Sequence, residues 1–157
     1  MTADLLDRSD QVAQEEQIYV TLTVAGQLCG IPVLGVRDIL AEQPITRIPL
    51  SPPDIAGSLN LRGRIVTAID LRRRLNLPPP EPGQKRMSVV AEQGGELYAL
   101  LVDQVSEVMN LDARLFERNP PTLERNWAIF SSGIYRLDGR LLVILDVARL
   151  LDYAIQG

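Results

Sequence analysis

The chain is 157 residues long and 46% hydrophobic, with a formal net charge of −4; this suits one domain, or two small subdomains sharing a core, and argues against a general nucleic-acid surface. It has no histidine and one cysteine, Cys29, which excludes Ser-His-Asp and Cys-His catalysis, histidine metal sites, an internal disulfide and a cysteine metal cluster. The N-terminus lacks the basic start and apolar stretch of a signal peptide, and no apolar run approaches the ~20 residues that span a bilayer, so a soluble cytoplasmic protein is expected.

Residues 1–15 are polar and acidic and are expected to be a flexible leader. From Gln17, the apolar residues Ile18, Val20, Leu22 and Val24 alternate with Tyr19, Thr21 and Thr23, the period of a strand. Ala25-Gly26-Gln27 predicts a turn, and Leu28 to Leu34 a second strand in which Pro32 suggests an edge or a bulge. A third strand is expected over Gly35–Leu40. Residues 41–56 carry Pro44, Pro49, Pro52 and Pro53 and predict a long connection with one short strand around Ile45–Ile48. Ile65–Ile69 is a β-branched apolar run bounded by turn signals and predicts a buried strand. Asp70 then stands where it can cap a short helix, Leu71-Arg-Arg-Arg-Leu75. The three arginines suit a solvated helix face rather than a nucleic-acid contact, because few aromatic residues accompany them.

The proline run from Pro78 to Pro82 breaks the chain into two halves, and the second half repeats the first. Met87–Ala91 and Leu97–Val102 around Gly94-Gly95 predict a hairpin matching the first one: Gly26 aligns with Gly95, Val36 with Val105, Ile39 with Val108. A second long connection, 110–130, holds Pro120, Pro121 and Trp127, a packing residue. The stretch 57–75 then recurs at 133–151: Gly57 aligns with Gly133, Gly63 with Gly139, Asp70 with Asp146 and Leu75 with Leu151. Asp146 is expected to cap a terminal helix, Val147–Tyr153. Each copy thus has about five short strands, the pattern of a small barrel or sandwich, and two copies side by side leave a groove between them.

Gly57-Ser-Leu-Asn-Leu-Arg-Gly63, Ile69-Asp-Leu-Arg72, Val36-Arg-Asp-Ile-Leu40, Leu101-Val-Asp-Gln-Val-Ser-Glu-Val108 and Gly133-Ile-Tyr-Arg-Leu-Asp-Gly-Arg140 resemble, in order, the motifs of the CheW family of chemotaxis coupling proteins. The resemblance covers residues 16–153 and departs from the family pattern at Thr67, where proline is usual, and at Ala99, where glycine is frequent. It implies a mainly β protein of two intertwined five-stranded SH3-like barrels with short helical turns and a C-terminal helix. The CheW-like domain would be 16–157, its repeats about 16–78 and 85–153, each open to completion by strands of the other. It implies no catalysis and no cofactor. The implied role is an adaptor joining a chemoreceptor's cytoplasmic tip to the regulatory domain of the histidine kinase CheA, with other CheW-like domains of array rings as further partners. A pathway controlling pili or surface sensing is left open beside one steering flagella, and a small nucleic-acid-binding barrel, which would need a basic face, is the remaining alternative.

On this resemblance the receptor is expected in the groove, at Val36, Asp38, Ile39, Gly57, Asn60, Arg62, Val105, Val108 and Gly133. The kinase is expected on the first barrel's edge, at Leu40, Glu42, Pro44, Ile45 and Ile48. Each has a plainer reading: core packing for the valines and isoleucines, a special backbone angle for the glycines, a covered edge strand for Leu40–Ile48, and drift at an exposed turn for Arg62, whose counterpart is Asp138. Asp70 and Asp146 invite comparison with an aspartic dyad, but lack the flanking hydroxyl and glycine residues that such a pair needs, and read as helix caps.

Overall fold

The computed structural model describes residues 16–152, so the leader and Tyr153 of the expected terminal helix lie outside the described residues. Ten strands follow in order: β1 Glu16–Val24, β2 Gln27–Pro32, β3 Val36–Leu40, β4 Ile55–Leu61, β5 Arg64–Asp70, β6 Met87–Gln93, β7 Glu96–Val102, β8 Gln104–Asp112, β9 Ser131–Leu137 and β10 Arg140–Leu145. Helices of one turn cover Leu71–Arg74, Arg125–Ala128 and Val147–Leu150. The protein is mainly β, as its turn-punctuated apolar runs predict.

The strands form two five-stranded sheets with exchanged hairpins. One sheet runs β8-β1-β2-β10-β9 and the other β3-β6-β7-β5-β4. Each therefore holds the leading hairpin of one repeat and the last three strands of the other. The exchange is sealed by parallel pairings, Val143↔Cys29 and Ile144↔Gly30 in the first sheet, Thr67↔Tyr98 through Asp70↔Leu101 in the second. Antiparallel hairpins alone would not need a distant partner; the parallel contact requires the chain to leave and return.

Apolar residues on both faces of the central strands explain why these segments read as runs rather than as alternations. Cys29 and Ile31 of β2, Ile69 of β5, Val89 and Ala91 of β6, and Leu100 and Val102 of β7 enter one large cluster between the sheets. The opposite faces form two smaller clusters: Tyr19, Leu28, Tyr135, Leu142 and Ile144 in the first sheet, Leu59, Val66, Ala68, Val90, Ala99 and Leu101 in the second. Trp127 is buried in the large cluster, as its type suggests.

Five expectations change. Pro32 does not mark an edge: β2 is paired on both sides and Pro32 is its last residue, where a missing N–H costs nothing, after which Val33–Gly35 turn as a 3-10 segment. The short strand at Ile45–Ile48 is only an isolated bridge, Thr46↔Ser58. Ile65 is exposed although the run it begins is buried, because β5 pairs only with the tip of β4 at that point. The terminal helix ends at Leu150. The Arg72–Arg74 face is not solvated as a whole: only Arg73 is exposed. Arg72 is locked to Asp103 by Nε and Nη2 donating at 2.9 and 2.7 Å. Arg74 is buried over the Phe130 ring, with Nε donating to the Leu150 carbonyl at 2.7 Å. That last contact ties the helix closing the first repeat to the C-terminal end of the helix closing the second, where carbonyls favour a cation.

Candidate functional site

The β4–β5 hairpin closes through Arg62 and Gly63, both with positive φ (51° and 86°), the pattern of a type I′ turn that follows strand twist. Asn60 shapes it, its Oδ1 accepting from the Gly63 N–H at 2.8 Å. The turn projects Arg62 beside β3, where its guanidinium meets the Asp38 carboxylate at 3.0 Å. Asp38 also accepts from the Ile39 N–H at 2.8 Å. Two of the expected receptor residues, Asp38 and Arg62, thus meet at one end of the second sheet, in a depression shared with Arg37, Arg64 and Leu97, while Asn60 lines the neighbouring groove with Pro44 and Ile65.

The apolar candidates divide by depth. β3 and β8 are edge strands of different sheets. Val36 lies opposite Ala91 and packs on the large cluster, as does Val105 opposite Leu22. Ile39 and Val108 lie farther along those strands and are exposed, 39% and 58%. Each edge strand therefore has an apolar position anchored in the core and another left uncovered.

Gly57 and Gly133 are filled by their own chain. A Cβ on Gly57 would stand 2.2 Å from the Thr46 carbonyl oxygen, and one on Gly133 2.3 Å from the Phe116 ring and 2.5 Å from the Glu117 carbonyl. The bridges Thr46↔Ser58 and Glu117↔Ile134 show the reason: in each repeat the long connection crosses the strand at this glycine. Both glycines serve the fold here.

Along the other expected surface, Leu40 packs on the smaller cluster of the second sheet, while Glu42, Pro44, Ile45 and Ile48 are exposed on the connection. Pro44 shares a shallow groove with Thr46, Leu59 and Ile65. Ile65, 82% exposed, was not among the sequence candidates. Alternation along the run does not reveal it, because Ile69 on the same face of β5 is fully buried; Ile65 is exposed because the β7 pairing begins only at Thr67.

Asp70 and Asp146 are caps. Asp70 accepts from the Arg72 and Arg73 N–H groups and pairs with Arg86 at 3.0 Å; Asp146 accepts from the Arg149 N–H and pairs with that side chain at 3.4 Å. No group of three or more His, Cys, Asp or Glu side chains among the described residues is placed to hold a metal ion. Cys29 is fully buried, and that burial, with Asp103 nearby, pushes its thiol well above the ordinary range, so it is inert as a nucleophile at neutral pH.

A duplicated β protein whose two aligned aspartates are helix caps, and whose apolar residues stay uncovered on edge strands and one connection, offers surfaces on which other proteins can dock. The CheW-like domain family matches residues 19–154, and the chain belongs to this family of chemotaxis scaffold proteins. It is similar to the chemotaxis protein CheW of Bacillus subtilis strain 168, 32% identical over 134 residues and covering 85% of each chain. It is also similar to a probable chemotaxis protein CheW of Rhizobium etli, 29% identical and covering 88% of this chain and 90% of the relative. The solved scaffolding protein TtCheW of Thermoanaerobacter tengcongensis superposes with a TM-score of 0.77 at 29% identity, covering 87% of this chain and 92% of that one.

Proposed function

We propose that this protein couples the cytoplasmic tip of a chemoreceptor to the regulatory domain of a CheA-type histidine kinase, without a reaction of its own, in the cytoplasm beneath receptor arrays. The observation that carries the reading is the pair of uncovered apolar residues, Ile39 and Val108, at equivalent places on the equivalent edge strands of the two sheets. An amphipathic receptor helix laid against such residues gains apolar burial, and Arg62 beside Asp38 offers a charged anchor at the rim. The kinase reading rests on the connection bearing Glu42, Pro44, Ile45 and Ile48, with Leu40 beneath it. Among the described residues no helix is long and apolar enough to cross a membrane, which agrees with recruitment through the receptor. The test is reconstitution of receptor fragment, kinase and this protein. Kinase activity should come under receptor control only when the protein is present, and absence of binding to both partners would refute the reading.

A further inference from the structure

A second groove lies beyond the kinase-facing connection, where residues 47–56 turn back over the Leu71–Arg74 helix. It holds about 650 Å³ and is walled by Ile48, Leu50, Pro52 and Ile55, with Arg47 and Arg73 at its rim. That volume lies within the range of clefts that hold ligands. The other charges here are neutralised: Asp70 by Arg86 at 3.0 Å, and Asp54 by Arg74 at 3.4 Å. Arg47 and Arg73 have no ion pair or side-chain hydrogen bond among the described residues, so the groove carries two unmatched positive charges on a chain whose net charge is −4. Leu50 adds a third observation. It has φ +63°, a left-handed conformation that a leucine adopts only under strain, and its side chain stands wholly in water. The turn is held from both sides of it, Pro49 preceding Leu50 and the Ser51 N–H and Oγ donating to the Ile48 carbonyl at 3.4 and 2.8 Å, so the chain fixes this leucine in a conformation that presents its side chain outward.

We infer that this groove docks an acidic, leucine-bearing segment of a partner protein, with carboxylates on Arg47 and Arg73 and apolar side chains against Leu50 and the prolines. Complementary charge selects the segment, and Leu50 supplies apolar surface that is already exposed before binding. Ile48 belongs also to the proposed kinase-facing edge, whereas Arg73 and Leu50 do not, which separates the two surfaces by experiment.

The probe is a short synthetic peptide with the core Asp-Leu-Leu-Asp, titrated into the full-length protein and followed by the Leu50 methyl and arginine Nε–H resonances. Peptides with asparagine for both aspartates, and with alanine for both leucines, are the controls. Binding should shift Leu50, Arg47 and Arg73 together. Arg47→Gln or Arg73→Gln should each raise the Kd about fivefold, with unchanged melting temperature because both side chains are exposed. Arg73→Gln should leave affinity for the kinase regulatory domain unaltered. Equal binding of either control peptide would overturn the proposal, as would displacement by inorganic phosphate alone, which would make the groove a simple anion site. Loss of kinase affinity in Arg73→Gln would assign the groove to the kinase. The chain's own residues 4–7 are also Asp-Leu-Leu-Asp. If Asp4→Asn with Asp7→Asn moved the Leu50 signals in the absence of peptide, the occupant would be the protein's own N-terminus, and the partner would be refuted.

Discussion

Asp103 ties the junction of the two sheets through both its side chain and its backbone. It sits between β7 of one sheet and β8 of the other, where the chain crosses. Its carboxylate receives the Arg72 guanidinium through two hydrogen bonds and the Ala25 N–H at 2.7 Å, while its own N–H donates to the Thr23 carbonyl at 3.0 Å. Ala25 has φ +51°, so the carboxylate also holds a strained turn. The Arg72 and Asp103 side chains are only 11% and 12% exposed. Asp103→Ala would leave a largely buried guanidinium with the Pro78 carbonyl at 2.9 Å as its remaining hydrogen-bond partner, and removing one partner of a fully buried pair costs about 3–5 kcal/mol. Allowing for the remaining exposure, about 2–4 kcal/mol is expected. With a urea m-value of roughly 1.5–2 kcal/mol/M for this size, the midpoint should fall by about 1–2 M. Burial raises the Asp103 pKa, but the Arg72 and Ala25 hydrogen bonds outweigh it and hold the carboxyl below the usual range. Its stabilisation is therefore complete above the unfolded value near ~4 and is lost as pH falls through the folded value, so wild type and Asp103→Asn should converge in stability in acid. Urea titrations followed by circular dichroism at pH 7 and at successively lower pH measure both effects. A cost below about 0.5 kcal/mol at pH 7, or no coupling between Asp103→Ala and Arg72→Met, would refute the latch.

Gly57→Ala should destabilise by about 3 kcal/mol or more, since its Cβ would meet a backbone carbonyl and the connection must shift; thermal melting checks it, and a neutral change would show that 41–54 can move freely. Arg62→Asp should change the melting temperature little. It exchanges one exposed ion pair, worth about 0–1 kcal/mol, for a residue that tolerates φ +51° better, although Asp38 nearby offsets part of that relief. If Arg62 contacts a receptor carboxylate, reversal should raise the receptor Kd roughly tenfold or more and the kinase Kd less, as read by titration calorimetry at two salt concentrations. Val108→Asp, on an exposed position, should fold normally yet weaken receptor binding, whereas Val36→Asp, packed on the large cluster, should unfold the protein; unchanged receptor affinity in folded Val108→Asp would remove β8 from the site.

The sequence carried the parts of the fold that are repeated twice. Glycine positions, apolar runs and the two capping aspartates recur in register, and a pattern that recurs is hard to mistake. The errors fall where tertiary contact overrides local signals. Pro32 looked like an edge because a proline cannot serve mid-ladder, yet it needs only to be last. Arg72 and Arg74 looked solvated because three adjacent arginines ordinarily are; their burial depends on Asp103 and on the Leu150 carbonyl, 31 and 76 residues away. Gly57 and Gly133 showed clearly as special positions, but whether a partner or the chain itself approached them could not be read without Thr46 and Glu117 in place. Ile65 and Leu50 were missed for the opposite reason: an apolar residue beside a run or between prolines looks buried until the strand partner stops short.

The comparison of the repeats also bears on how a scaffold can hold unlike partners. The core is nearly symmetric, with equivalent hairpins, equivalent parallel contacts and equivalent caps. The tips are not. In the first repeat Arg62 reaches across to Asp38 on the edge strand; in the second the tip carries Asp138, and Arg136, aligned with Asn60, pairs instead with Glu117 at 3.1 Å. Gly139 alone of that turn has positive φ, so even the backbone of the tip differs. A symmetric core with symmetric tips would present the same surface twice and bind one partner at two sites. Changing charge and turn type at the tips, where neither touches the core, lets one duplicated fold offer two different surfaces without altering what holds it together.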